Sequence, residues 1–500
     1  MTGQSDRKWF GLLQGKSNSS STTPHLPQLP TLRWGPFAIP RSEATQHFAA
    51  VGATGSGKTV ILRLFIQSEV QRITQGSGSR LLLNNAKNEW GPLIAAMRPR
   101  CRVIYSDAFD LRSSAWDMAA DVREPRVALE ISFTLIPESN ESQRFFSDAS
   151  RNLLYGVILS YQQRGIKWKF ADVLRALQSP RLLKRVLLAC PYTRYIVRMY
   201  FREKKTLASI LSTLATKMIP YEHIAAAWET ATDSFSVTQW ADESWILLLG
   251  SSDIASHSMA AINQCIGKRA SDELLSRPDS QTRRTTLALD ELSDLGLMPG
   301  LIPLAKKGRS KGICLLVGFQ SIAGLRSTDS YGPEKTADLL GQFGYRFFGR
   351  IECPETAKWA SELIGDQEVI QTTQSWTKGK ETTETTTQQH YATRNTVLPS
   401  ELMSPPACTP ENGLTAWYLN RCHDGVVHSH IDGKQLFGRD LKKPDASVSD
   451  FMPRSPQCQL LRPWTKQEEA LFAPVFRKDT AAEANAPHVE GLDFSAVDNL

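Results

Sequence analysis

Residues 48–73 constrain the fold of this chain more than any other stretch. The apolar run Phe48-Ala49-Ala50-Val51 leads into Gly52-Ala53-Thr54-Gly55-Ser56-Gly57-Lys58-Thr59, and apolar residues then recur at 60, 61, 62, 64, 65, 66, 70 and 73. A strand-length run, a glycine-rich turn and a broad helical face make a βα unit. The turn fits G-x-x-x-x-G-K-[ST], the P-loop pattern. Its glycines let backbone N–H groups converge on phosphate oxygens, and the dipole of the following helix adds to the attraction. Lys58 then supplies a point charge for β and γ phosphates, and Thr59 offers a hydroxyl to Mg²⁺.

Further short apolar runs follow at Leu81–Leu83, Val103–Tyr105, Trp245–Leu249, Leu287–Leu289 and Ile313–Val317. Such runs, bounded by polar or glycine positions, fit buried parallel strands of an α/β sheet. Between Pro125 and about Trp240 the periodicity turns helical, as in Ser150–Tyr161 and Thr206–Leu214. The expected organisation is therefore a flexible arm over residues 1–32, a discontinuous α/β nucleotide-binding domain over 33–124 and 241–436, and an all-α insertion over 125–240. Beyond Leu436 an extended Pro-rich and then acidic tail, 437–500, is expected. Ten of residues 372–396 are Thr among polar neighbours, which suits either a long exposed hairpin or a flexible loop. Trp417-Tyr418-Leu419 and Val426-Val427 read as late strands.

A second chemical element is Thr286-Leu-Ala-Leu-Asp290-Glu291, an apolar strand ending in two adjacent carboxylates. Beside a P-loop, Asp290 would hold Mg²⁺ through water and Glu291 would polarise the attacking water as general base. Arg309 lies on a turn-prone basic segment, Lys306–Gly312. It could reach a neighbouring subunit's γ-phosphate as an arginine finger, or be a surface cation. Gln320 ends the run Ile313–Phe319, where it could sense the γ-phosphate or merely cap a strand. Cys422, His423, His428 and His430 invite a metal reading. Asp424-Gly425 between strand-like runs favours a hairpin turn instead, with His428 and His430 on one exposed face.

Charge is unevenly placed. Between Tyr161 and Pro220 there are thirteen Lys/Arg against Asp172 and Glu203, whereas the whole chain carries only +7. Residues 479–500 hold five acids and no Lys or Arg. A basic block and an acidic tail suggest a polyanion partner and a separate protein-docking tail, the bland alternative being solvated faces and disorder. No apolar run reaches the roughly 18 residues of a membrane span, and the Ser/Thr/Pro-rich N-terminus lacks a signal-peptide core. Eight cysteines are scattered without a CxxC pair, which suits reduced thiols better than a disulfide framework or zinc finger.

From about Arg33 to Leu402 the chain resembles the conjugative coupling proteins of type IV secretion, of the TraD/TraG type. The blocks that carry the resemblance are HFAAVGATGSGKT (His47–Thr59), AFDLRSSAWDMAADV (Ala108–Val122), KTLASILSTLATKMIP (Lys205–Pro220) and, most specifically, LDELSDLGLMPGLIPLAKKGRSKGICLLVGFQSIAGL (Leu289–Leu325). The resemblance implies a RecA-like P-loop NTPase fold with an inserted all-α domain. It also implies a hexameric ring around DNA, and ATP with Mg²⁺ bound between subunits. Hydrolysis would drive single-stranded DNA, with its attached relaxase, to the secretion channel. Matched motif by motif, Lys58 and Thr59 take the phosphate and metal roles and Asp290 and Glu291 the Walker B roles. Arg309 falls where the family's arginine finger lies, and Gln320 at its glutamine sensor. Family members usually begin with two transmembrane helices, not seen here, so the expectation is a cytoplasmic chain that either lacks an anchor or relies on a separate membrane partner at the inner face of the membrane. Where the family has an Asp-x-Lys-Gly-Glu-like motif, this chain reads Asn84-Asn85-Ala86-Lys87-Asn88-Glu89. The competing readings are a soluble FtsK/HerA-like translocase in DNA processing or plasmid maintenance, and a non-hydrolysing adaptor.

Overall fold

The computed structural model describes residues 31–475 apart from 86, 140–143, 252–254, 294–296, 329, 379–382 and 423–424, and omits the side chains of 375–386. Nine strands form its main sheet: β1 (Phe48–Val51), β2 (Ser79–Asn85), β3 (Val103–Ser106), β4 (Ile246–Gly250), β5 (Arg284–Leu289), β6 (Ile313–Phe319), β7 (Tyr345–Phe348), β8 (Leu414–Asn420) and β9 (Val426–Ile431). Their spatial order is β9-β8-β7-β1-β6-β5-β2-β4-β3. The seven strands from β7 to β3 run parallel, and β8 and β9 add an antiparallel edge. Each apolar run named above lies in one of these strands, except that Trp245 precedes β4. β1, β2, β4 and β6 are buried at every position, as a parallel sheet covered on both faces requires.

Alternate residues feed two cores. Phe48, Ala50, Leu81, Leu83 and Leu316 face helix α1 (Lys58–Val70), where they meet Ile61, Leu62 and Phe65. Trp34, fully buried in the short hairpin formed by Thr31–Trp34 and Phe37–Pro40, packs edge-on against Phe48 and Phe65. Ala49, Val51, Leu82, Leu249, Leu289 and Val317 point the other way, into a larger core shared with the helix Ser256–Ser276 and with the helical stretch between β3 and β4. Each of the larger side chains contributes roughly 1.5–3 kcal/mol, and the alanines less. The sheet is thereby clamped at the strand ends where the functional loops emerge.

Between β3 and β4 lie α2 (Pro125–Leu135), α3 (Arg144–Gln163), α4 (Phe170–Leu177), α5 (Pro180–Leu188), α6 (Arg194–Tyr200), α7 (Lys204–Met218) and α8 (Glu222–Glu229). The central α3 buries Leu153, Leu154, Val157, Ile158 and Tyr161. Gly156 lets Ile196 and Leu187 approach, because a Cβ there would lie 2.6 and 2.7 Å from their side chains.

The Thr-rich segment is a hairpin: Asp366–Lys378 pairs antiparallel with Thr383–Asn395 over thirteen positions. The C-terminal segment does more than extend over the surface. Arg454 is buried and donates to the carbonyls of Ala108 and Asp110, while Arg462 pairs with Glu229 of α8. A short helix, Lys466–Phe472, then docks on the α3–α5 bundle. There Phe472 stacks on Trp464 and meets Tyr161, and Ala473 is fully buried. Residues 476–500, including the acidic tail, lie outside the described residues.

Candidate functional site

The P-loop leaves the end of β1 and is held from several sides. The amide of Gly52 donates to Phe319 O at the end of β6 (3.3 Å), and Ala53 N donates to Arg350 O just beyond β7 (2.8 Å). Cys408 N donates to Gly55 O from the segment leading into β8 (2.8 Å). Gly57, at φ 95, occupies the left-handed region that other residues avoid and caps α1. Lys58 and Thr59 therefore open a helix whose first amides face the loop. The Ser56 hydroxyl is buried and has no hydrogen-bond partner among the described residues. An orphaned buried hydroxyl costs free energy unless a ligand satisfies it, and its place inside the loop suits a phosphate oxygen.

The carboxylates meet this loop from β5. Thr59 Oγ1 donates to Asp290 Oδ1 (3.3 Å), and Lys58 Nζ lies 3.3 Å from Glu291 Oε2. Lys58 and Glu291 are both buried. Ser293 Oγ donates to the other Glu291 oxygen (2.6 Å). Burial raises the Asp290 pKa above the ordinary carboxylate value, while Lys58, Lys87 and the Thr59 hydroxyl pull against that rise. The turn stays close to the sheet because Leu292 N donates to Gly318 O (2.8 Å). Only glycine fits at 318, where a Cβ would sit 2.2 Å from Asp290 O. Four side chains from residues 58–59 and 290–291 thus converge in one small space.

Gln320 follows β6, which lies between the P-loop strand and β5 in the sheet, so it stands on the same edge as this cluster with its side chain exposed. Arg309 does not join them. It opens the short turn Arg309–Lys311 before β6 and is exposed on the opposite edge of the sheet. The helix Leu301–Lys307 leading to it is tied down by His47. The His47 ring is buried, its Nε2 sits 3.0 Å from Ala305 O, and its Nδ1 accepts from Leu315 N (3.1 Å). Burial, opposed by the Ala305 bond and assisted by Arg309, lowers its pKa from 6.5 to about 4. The ring is therefore neutral with its proton on Nε2.

Sequence reasoning missed Lys87, Ser293, His47 and the Arg350 and Cys408 backbone contacts. Lys87 sits in the motif that departs from the family pattern, and that departure was the one available signal. In the same motif Asn85 Oδ1 accepts from Trp90 N (3.0 Å), opening the helix Trp90–Ala96. The metal alternative fares differently: β8 and β9 form an antiparallel pair, with His428 tilted over Trp417 (4.4 Å) and His430 hydrogen-bonded to Thr415 (2.9 Å). Both histidines are exposed on one face, while His423 and Asp424 lie outside the described residues.

Parallel strands around a P-loop, with an acidic pair at the end of a neighbouring strand, define a RecA-like P-loop NTPase fold. The family model for the type IV secretion-system coupling protein DNA-binding domain matches residues 31–410, and the chain belongs to that family. Among solved structures it is similar to the unbound bacterial conjugative coupling protein TrwBΔN70, at 17% identity and a TM-score of 0.66, covering 85% of this chain and 92% of that one. The plasmid coupling protein TrwB in complex with ADP and Mg²⁺ matches at 17% identity and 0.66, covering 86% and 94%. Its complex with a non-hydrolysable ATP analogue matches at 17% and 0.64, with the same coverage. No curated protein matches the sequence. Among the described residues no helix is long and apolar enough to cross a membrane.

Proposed function

We propose that this chain is a DNA-dependent ATPase, a coupling protein that delivers single-stranded DNA with its relaxase to a type IV secretion channel during conjugation. The observation that carries this reading is the convergence of Lys58, Thr59, Asp290 and Glu291 in a chain of the coupling-protein family. The P-loop amides and the Ser56 hydroxyl would cradle the ATP phosphates. Thr59 and Asp290, oxygen donors 3.3 Å apart, would hold Mg²⁺, an oxygen-seeking ion. When bound, that ion neutralises charge on the β and γ oxygens.

Lys58 links binding to hydrolysis. A phosphate beside Nζ competes with Glu291 for the ammonium, and a released Oε2 can take the proton of the attacking water. Ser293 keeps the carboxylate oriented through its other oxygen. Arg309, facing away from its own P-loop, would complete the site of a neighbouring subunit, and the family likeness suggests a homo-hexameric ring as the working form. Gln320 would report the γ-phosphate to β6. We assign the motor to residues 33–124 and 241–436, and backbone-directed, sequence-independent DNA contact to the basic insertion of 125–240. A relaxase, channel components and a separate membrane anchor are the expected protein partners.

The test is ATP turnover by the purified protein with and without single-stranded DNA, beside Lys58→Ala. Turnover that rises with DNA and disappears in the variant supports the reading. Absence of turnover under every condition makes the chain an adaptor instead.

A further inference from the structure

The structure divides the basic block of residues 161–220 into two populations. Arg164, Arg175 and Arg185 are spent on the C-terminal segment: they donate to the carbonyls of Phe472, Arg462 and Pro474, and Arg185 also pairs with Glu469. A second group lies around α6. Arg198, Arg202, Lys204 and Lys205 are exposed and form no ion pair among the described residues.

Close to these cations in the chain stand apolar side chains that a folded surface ordinarily hides. Tyr192 is 68% exposed, Tyr195 51% and Met199 60%. Tyr195 and Met199, four residues apart in α6, share its outward face, and Tyr192 stands in the turn that precedes the helix. The opposite face is firmly seated. Ile196 is fully buried against Gly156, and the Thr193 hydroxyl donates to the carbonyls of Leu187 (2.7 Å) and Cys190 (3.1 Å). Arg194 Nε reaches Leu188 O (3.1 Å). Tyr155 of α3 is half-buried, and burial, with the Tyr195 phenol close by, raises its pKa. Two outward aromatic rings and a polarisable thioether are thus presented on a rigid base, flanked by unpaired positive charge.

That combination is the chemistry of a single-strand platform. Unpaired bases expose π-faces that stack on tyrosine, and the phosphates between them meet Arg and Lys. A duplex keeps its base faces stacked inside and offers phosphates and groove edges instead. We propose that Tyr192, Tyr195 and Met199, with Arg198, Arg202, Lys204 and Lys205, form a binding site that holds single-stranded nucleic acid in preference to duplex. This rests on the reading above that the chain handles DNA, and names the surface that grips the strand.

The experiment is fluorescence anisotropy of a labelled oligo-dT and of a duplex of equal length, across a salt series, on the full chain. The variants are Tyr192→Ala/Tyr195→Ala, Tyr192→Phe/Tyr195→Phe and Arg198→Ala/Arg202→Ala. The alanine pair is expected to weaken oligo-dT binding by at least about tenfold and to leave duplex affinity, the salt slope and DNA-free ATP turnover unchanged. The phenylalanine pair should restore binding, since stacking needs the ring and not the hydroxyl. The arginine pair should weaken both ligands and lower the single-strand salt slope by about 1.4. Equal oligo-dT affinity for wild type and the alanine pair overturns the proposal and leaves the patch to a protein partner. A wild type that binds neither DNA at low salt overturns the DNA-handling reading itself.

Discussion

Arg309→Ala tests whether the catalytic site is shared between subunits. The turn bearing Arg309 precedes β6, while the P-loop and Asp290 lie past the other ends of its neighbours. Seven residues of β6, at about 3.3 Å each, separate the two edges by roughly 23 Å. That is several times the reach of an arginine side chain, so Arg309 cannot touch a nucleotide held by its own Lys58. A finger supplied in trans contributes 10³–10⁵ in rate. Arg309→Ala should therefore lose at least about a thousandfold in DNA-stimulated turnover while still binding nucleotide. Lys58→Ala should lose binding as well. Mixing the two inactive proteins is the decisive assay. A Lys58→Ala subunit still offers Arg309 to a neighbour, and an Arg309→Ala subunit still offers an intact P-loop. In an equimolar ring about a quarter of the interfaces join the two intact halves, so turnover should reappear on mixing. Failure of activity to return, or turnover by Arg309→Ala alone at the wild-type rate, would refute the shared site.

Three further perturbations follow from the same structure. Glu291→Gln preserves shape and the Ser293 contact but removes the base, so turnover should fall by about 10²–10⁴ with nucleotide binding kept; a rate within threefold of wild type would show that another group takes the proton. His47 is held at about 4 against 6.5 when unfolded, so the unfolded chain binds the extra proton at mildly acid pH. The stability that its neutral ring confers is complete above pH 6.5 and is lost as pH falls toward 4, by up to about 3 kcal/mol. Urea unfolding of wild type and His47→Gln at pH 7, 5.5 and 4.5 should therefore show the gap closing, and parallel curves would contradict the assignment. Phe472→Ala removes a nearly buried ring and should destabilise by about 3 kcal/mol, seen as a lower Tm and earlier proteolysis of the C-terminal segment; an unchanged Tm would mean that the segment is not docked in solution.

Local features of the sequence carried much of the fold. The buried strands are legible because a parallel sheet covered on both faces needs continuous apolar runs, and Ile313–Phe319 or Ile246–Gly250 can be little else. The P-loop and the Asp290-Glu291 pair are legible because phosphate and metal chemistry fixes residue type and spacing over a few positions. What local pattern cannot carry is adjacency. Lys58 meets Glu291 across 233 residues, a contact that depends on β6 standing between β1 and β5. The same sheet order places Gln320 beside the P-loop and Arg309 on the far edge, and neither position follows from its neighbours in the chain. The Thr-rich hairpin was ambiguous because neither of its faces is apolar, so no period of two marks it. The docked C-terminal helix was hidden for another reason: seven residues are too few for a periodic signal, and Trp464 and Phe472 acquire meaning only against Tyr161 and Asp172.

The measurement that bears most directly on the account is ATP-driven displacement of streptavidin from the end of biotinylated single-stranded DNA. Wild type should strip the streptavidin with ATP and leave it in place with a non-hydrolysable analogue, and Glu291→Gln should leave it in place in either case. Turnover that rises with DNA while the streptavidin stays bound would contradict the claim that this protein pumps the strand.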